Sequence, residues 1–133
     1  MILDTNILSA IVSDRPAPAL QRRLAEVTGP LYTTAVNWAE ICYGLARHAS
    51  GARLRQRYEE AILPALQILD FDTDCAEVYG RLRAHLSTRG QVLDEADLMI
   101  ASIALWHGLP LVAANLRHFA RVPELEVVNW LEG

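Results

Sequence analysis

Three carboxylates stand where apolar segments would aim them at a common point. Asp4 closes the apolar run Ile2-Leu3. Glu40 lies in Asn37-Trp38-Ala39-Glu40-Ile41, inside an apolar helical stretch, and Asp97 opens Asp97-Leu98-Met99-Ile100-Ala101-Ser102, another apolar helix. A carboxylate at the edge of a buried segment costs desolvation energy, so it needs a partner or a job. Three that converge repel one another unless a cation lies between them. The chemistry this predicts is that of a hard divalent metal ion.

The elements that would position these acids can be read along the chain. Ile2-Leu3-Asp4 reads as a short buried strand, and Thr5 to Ile11 as a turn into a helix. Asp14 to Pro18 is a break. Ala19 to Val27 is helical and closed by Gly29-Pro30, and Leu31 to Thr34 is β-like. A helix from Val36 ends near His48. After Ser50-Gly51, a second helix is expected from Arg53 to Leu66, with Pro64 near its end. Ile68 to Phe71 reads as a strand. Asp72 or Thr73 caps a helix that runs to about Thr88, before Gly90. Asp94 is placed as the N-cap of a helix from Glu95 to His107, closed by Gly108. Leu111 to Ala114 is a strand, and Val127-Val128 a weaker last one.

Short β-like runs alternating with helices predict a single α/β domain over residues 1–133, with a mainly parallel twisted sheet of four or five strands flanked by helices. In such sheets ligands bind beyond the carboxyl ends of the strands, near the switch in strand order. Asp4 and Asn115 both fall at such ends.

Composition narrows the function classes. The net charge is −4, and all 12 basic residues are Arg. The absence of lysine excludes a Walker-type phosphate loop, a kinase-type lysine and a Schiff-base lysine. It also removes a phosphoryl receiver domain, and Asn6 stands where an Asp-x-Asp phosphatase needs an acid. Local patches matter more than the total charge, so nucleic-acid binding stays open. Cys42 and Cys75 have no metal or redox spacing and are expected to be two buried thiols. With no apolar run long enough for a membrane span and a core strand at the start, a cytoplasmic protein is expected.

Each acid alone has an ordinary structural use. Asp4 can cap a helix, Glu40 can lie on a solvated face, and Asp97 is favoured in a first helical turn by the macrodipole. Asp94 and Glu95 read as cap and first-turn residues. What lifts the three above these uses is their company. Four blocks stand in order: Met1 to Ser9; Thr33 to Ile41 with Tyr43-Gly44; Asp97 to Ala101; and Gly108 to Val112 leading to Asn115 and Phe119. Together they resemble the PIN domain, a metal-dependent ribonuclease family, and within it the VapC-type toxins of bacterial toxin–antitoxin pairs.

The resemblance maps Asp4, Glu40 and Asp97 onto that family's three acids, and Asn115 onto a fourth position occupied by Asp or Asn. Ala113 stands where the family usually has Thr, so a hydroxyl near the metal is missing. Carboxylates and water are ligands of Mg²⁺ and Mn²⁺, and Mg²⁺ typically takes only one or two protein carboxylates. Asp4 and Asp97 are thus expected as direct ligands, with Glu40 direct or through water. Glu40 is expected to orient or deprotonate the attacking water. Thr5 and Asn6 are expected to position Asp4 by hydrogen bonds. Asn115 supports the site or serves as a turn residue.

The implied substrate is RNA, whose backbone requires positive charge along its path. Arg117, His118 and Arg121 are the candidates nearest the acids, with Arg22-Arg23 and Arg53-Arg55-Arg57 next. Trp38 is a core residue, an antitoxin contact or a stacking surface. The resemblance further implies a homodimer and a small antitoxin wrapped over a groove around Leu8 to Val12 and Ala35 to Arg57. A different class of function, a catalytically weak PIN-like binding module or co-repressor, rests on Ala113 alone.

Overall fold

A computed structural model of the chain describes residues 1–132. Its centre is a strand only two residues long, β1 (Ile2–Leu3). Both side chains are fully buried, one on each face, as the two-residue period of a strand requires. Ile2 packs with one core cluster and Leu3 with the other. Full burial of each contributes about 1.5–3 kcal/mol, which is why so short a segment can hold the middle of a sheet.

Four further strands, β2 (Leu31–Thr34), β3 (Leu66–Leu69), β4 (Leu111–Val112) and β5 (Val127–Val128), complete a five-stranded sheet. The order is β3-β2-β1-β4-β5 and every pairing is parallel. Ile2 aligns with Tyr32 on one side and Leu111 on the other. Strand order therefore runs outward from β1 first one way and then the other, and the reversal lies between β1 and β4. Their carboxyl ends carry Asp4 and Ala113, and the Asp4 amide donates to the Val112 carbonyl at 2.9 Å.

Among the described residues seven α-helices cover the two faces. α1 (Thr5–Ile11), α2 (Pro18–Glu26), α3 (Ala35–Arg47) and α4 (Gly51–Ala61) lie on the Leu3 side. α5 (Thr73–Thr88), α6 (Glu95–His107) and the single turn α7 (Leu116–Phe119) lie on the Ile2 side. α6 buries Leu98, Ile100, Ala101, Ser102, Ile103 and Ala104, so it is apolar nearly all round, the pattern of a helix inside a core. It stops at Gly108, whose φ of +64° is the left-handed cap that glycine supplies without a Cβ penalty.

The expected alternation of strands and helices is what the chain forms, with corrections at boundaries. The helix expected from Arg53 to Leu66 starts at Gly51 and ends at Ala61. A 3₁₀ turn, Leu63–Ala65, follows, because Pro64 has no amide hydrogen to continue an α-helix. Leu66 is already strand. β3 runs Leu66–Leu69 rather than Ile68 to Phe71, since it pairs residue for residue with Leu31–Thr34. β4 ends at Val112, although the Ala113 amide still donates to the Val128 carbonyl at 2.9 Å. Asp72 caps α5 by accepting from the Cys75 amide. Asp94 occupies the N-cap position of α6 without a side-chain capping bond. Cys75 is buried, but Cys42 is only half-buried. Among the described residues no helix is long and apolar enough to cross a membrane.

Candidate active site

Asp4 lies just past β1, at the N-cap position of α1, yet its carboxylate does not cap that helix. It accepts instead from the Asn37 side-chain amide at 2.7 Å. The same amide nitrogen donates to the Thr5 hydroxyl oxygen at 3.0 Å, and the Thr5 hydroxyl donates to Glu40 at 2.9 Å. Asn37 is in turn oriented by Thr34, the last residue of β2. The Thr34 hydroxyl donates to the Asn37 side-chain oxygen at 2.7 Å and accepts from the Asn37 amide at 3.1 Å, capping α3. A fully buried asparagine thus links Asp4 to Glu40 through Thr5. Next to it, the buried Thr33 hydroxyl donates to the Leu3 carbonyl at 2.8 Å, tying β2 to the end of β1.

Asn37 is the residue the sequence reading missed. Its signal was present: an amide on an otherwise apolar helix, three residues before Glu40 and so on the same face. A polar side chain with no water access is hydrogen-bonded in nearly every native protein, and here its donors and acceptors fix the two acids.

Asp97 enters from the first turn of α6. Burial raises its pKa above the ordinary carboxylate value, and the charges of Asp94 and Glu40 add to the rise, while His118 opposes it. The imidazole of His118 lies 3.3 Å from the Asp97 carboxylate. Asp4 is also raised, by burial first; the Asn37 and Thr5 hydrogen bonds work against this and the charge of Asp97 with it. Asp4, Glu40 and Asp97 therefore share one electrostatic neighbourhood although they come from the N-cap position of α1, from α3 and from α6. Among the described residues His118 is the only basic group paired with any of them.

The other expected residues are placed less uniformly. Thr5 is the bridge just described. Asn6 is exposed, and its backbone carbonyl accepts from the Ser9 hydroxyl at 3.1 Å. Asn115 is exposed at the start of α7 and makes no capping bond. Arg117 is exposed on α7. Arg121 donates to the Val92 carbonyl at 2.8 Å and so fastens the chain after α7 to the loop before α6. Ala113 is wholly buried in the core.

Among the described residues no group of three or more His, Cys, Asp or Glu side chains is placed to hold a metal ion. The donor set still suits a hard cation that keeps much of its water shell. It is all oxygen, and the pKa values of Asp4 and Asp97 are raised by burial first and by neighbouring carboxylate charge second, both of which a divalent ion offsets.

This fold agrees with comparisons to known proteins. A PIN-domain family model matches residues 1–125. A Haemophilus influenzae protein named ribonuclease VapC2 is 35% identical, with 98% of this chain and 97% of that protein aligned. The tRNA(fMet)-specific endonuclease VapC of Salmonella typhimurium is 30% identical over 97% of this chain and 96% of its own length. Among solved structures, VapBC2 from Rickettsia felis, bound to a DNA fragment from its promoter, superposes with a TM-score of 0.89 at 28% identity, covering 97% of each chain. The chain belongs to the PIN-domain family and, within it, to the VapC ribonucleases.

Proposed function

We propose that this protein is a divalent-metal-dependent endoribonuclease toxin, with Asp4 and Asp97 as the metal-holding acids and Glu40 as the group that handles the attacking water. The observation that carries this reading is the partial burial of Asp4 and Asp97, each with its charged form disfavoured by desolvation and by a neighbouring carboxylate, at the switch point of a parallel sheet. Mg²⁺ or Mn²⁺, held by Asp4 and Asp97, would supply positive charge at the scissile phosphate and make a nearby water more acidic. Asn37 holds Asp4 in one orientation. The Thr5 hydroxyl holds Glu40, which accepts the proton of a water attacking phosphorus as the P–O3′ bond breaks, and the departing 3′-oxygen takes a proton from solvent. The products are a 5′-phosphate and a 3′-hydroxyl. His118, 3.3 Å from Asp97, and its exposed chain neighbour Arg117 favour the RNA backbone.

Control by an antitoxin follows from the VapBC complexes among the structural neighbours. The groove expected around Leu8 to Val12 needs revision, because Leu8, Ile11 and Val12 are used by the chain's own core. The surface left for an antitoxin is on α3 and α4. There Tyr43 is 64% exposed, and the Arg55 guanidinium lies 5.6 Å from the centre of the Trp38 ring. Trp38 also meets Tyr58 edge to face, so it is half core and half surface. A homodimer is the expected state of the free toxin, to be read by light scattering.

The test is cleavage of total RNA by antitoxin-free protein with Mg²⁺ or Mn²⁺, beside EDTA and Asp4→Ala. Discrete metal-dependent cuts that vanish in Asp4→Ala support the enzyme. A folded protein that cuts nothing moves the reading to the binding module, for which Ala113 is the single residue in favour.

A further inference from the structure

A hollow of about 400 Å³ lies between α5, the loop that follows it and the first turn of α6. It adjoins the acid cluster through Asp94, which lines it. Asp94 and Asp97 are three residues apart at the start of α6, about one helical turn, and the charge of Asp94 is felt at Asp97. One wall of the hollow is polar and ordered. Arg83 donates to the Tyr79 hydroxyl at 3.0 Å, its guanidinium carbon lies 6.0 Å from the centre of the Tyr79 ring, and the Tyr79 hydroxyl faces Glu95 at 3.4 Å. Phe71 meets the Tyr79 ring edge to face at 5.9 Å and steadies it. The floor is apolar, including Leu98, and Val92 stands 80% exposed at the rim.

We propose that this hollow is a base subsite of the RNA substrate, taking an unstacked nucleobase with an exocyclic amino group beside the scissile phosphate. The inference rests on the ribonuclease reading and adds to it a site of sequence selection. Single-stranded RNA is read by stacking splayed bases on aromatic rings or guanidinium planes and bonding their edges. Arg83 over Tyr79 supplies the plane, and the apolar floor the enclosure. Asp94 and Glu95 decide what enters. Two carboxylates repel a phosphate, so the hollow does not follow the backbone. A carboxylate accepts from an amino group, as it does from cytosine N4. Uracil carries a carbonyl oxygen at that edge and meets repulsion instead.

The test compares binding of cytidine and uridine dodecamers to wild type, Arg83→Ala and Glu95→Ala in EDTA, where no RNA is cut. Both substitutions fall on exposed side chains, and circular dichroism verifies the fold. Wild type should prefer the cytidine oligomer about tenfold, the scale of one stacked and edge-read base, and either variant should narrow this to about twofold or less. Equal binding of the two oligomers by wild type overturns the proposal. So does a preference that survives both substitutions, or no binding of either oligomer. Cleavage of total RNA separates this from the enzyme reading. Cutting without base preference sinks the subsite alone, and preference without cutting sinks the nuclease alone.

Discussion

The Asn37 side-chain amide donates to the Asp4 carboxylate at 2.7 Å from a position with no solvent exposure. Thr34 sets the amide's orientation from the opposite side, so its nitrogen has one direction in which to point. Asn37→Leu keeps roughly the volume and removes every polar contact. It strands the Thr34 hydroxyl and loosens Asp4, and should cost about 1–3 kcal/mol of stability. Cleavage should fall about 10–100-fold, the usual range when a partner behind a metal ligand is lost. Urea unfolding and initial rates measured side by side check both. Full activity in a folded Asn37→Leu protein would remove Asn37 from the site.

The raised carboxyl groups give the metal-free protein an unusual pH response. A carboxyl whose folded pKa exceeds its unfolded value binds more protons in the native state. Its contribution to stability therefore declines as pH rises from the ordinary carboxylate value through the raised folded one, and the deficit is complete above both. For Asp97 the causes are burial and the charges of Asp94 and Glu40. Asp97→Asn should thus raise the Tm of the metal-free protein at neutral pH while abolishing cleavage. Mg²⁺ should raise the Tm of wild type and leave Asp97→Asn nearly unmoved, because a ligand that binds only the native state stabilises it by mass action. A lower Tm for metal-free Asp97→Asn would contradict the repulsion on which the site is built.

His118 is the counterweight at the same acid, 3.3 Å from the Asp97 carboxylate. It favours the charged form of Asp97, against burial. His118→Ala should move the Asp97 titration to higher pH, which carboxyl-carbon NMR of the metal-free protein reads directly. The acidic limb of the cleavage profile should move the same way. An Asp97 midpoint that stays or falls would show that the imidazole does not act on it.

Gly51 sits where α3 hands over to α4, with its amide donating to the His48 carbonyl at 3.1 Å. A Cβ there would collide with the Leu45 carbonyl oxygen, which is backbone and cannot turn aside. Gly51→Ala should therefore destabilise the fold by about 1–3 kcal/mol, as overpacking does. Because α4 carries none of the three acids, the rate of the folded fraction should stay at wild type. Thermal unfolding and active-site-normalised rates distinguish this from damage to the site.

Much of this was legible along the chain because strong local signals agreed. The pattern Ile2-Leu3-Asp4, the apolar α6 and the Gly108 cap each follow from burial or backbone freedom written in a few adjacent residues. The end of α4 was harder. Pro64 forbids an α-helix but does not say where the next strand starts, and β3 takes its register from Leu31–Thr34, more than thirty residues away. The acids were found individually from their sequence blocks. The Asn37 link was not, because it depends on β2, α1 and α3 meeting in space. Arg121 likewise read as an RNA-contact candidate, and its bond to the Val92 carbonyl, 29 residues away, was not legible in the sequence.

Thr5 is the step in that link which can be cut while the Asn37 bond to Asp4 stays in place. Its hydroxyl accepts from Asn37 at 3.0 Å and donates to Glu40 at 2.9 Å. Thr5→Val preserves the branched shape and leaves the Asn37 bond to Asp4 in place. It frees Glu40, which is otherwise exposed on its helix. Thr5→Ser keeps the hydroxyl. If Glu40 acts on the attacking water, Thr5→Val should lower kcat about tenfold or more with little change in metal affinity, and Thr5→Ser should recover most of it. Isothermal titration with Mn²⁺ separates the two effects. A Thr5→Val protein that loses metal affinity as strongly as it loses kcat would instead make Glu40 a metal-holding residue, with the hydroxyl orienting it for that purpose.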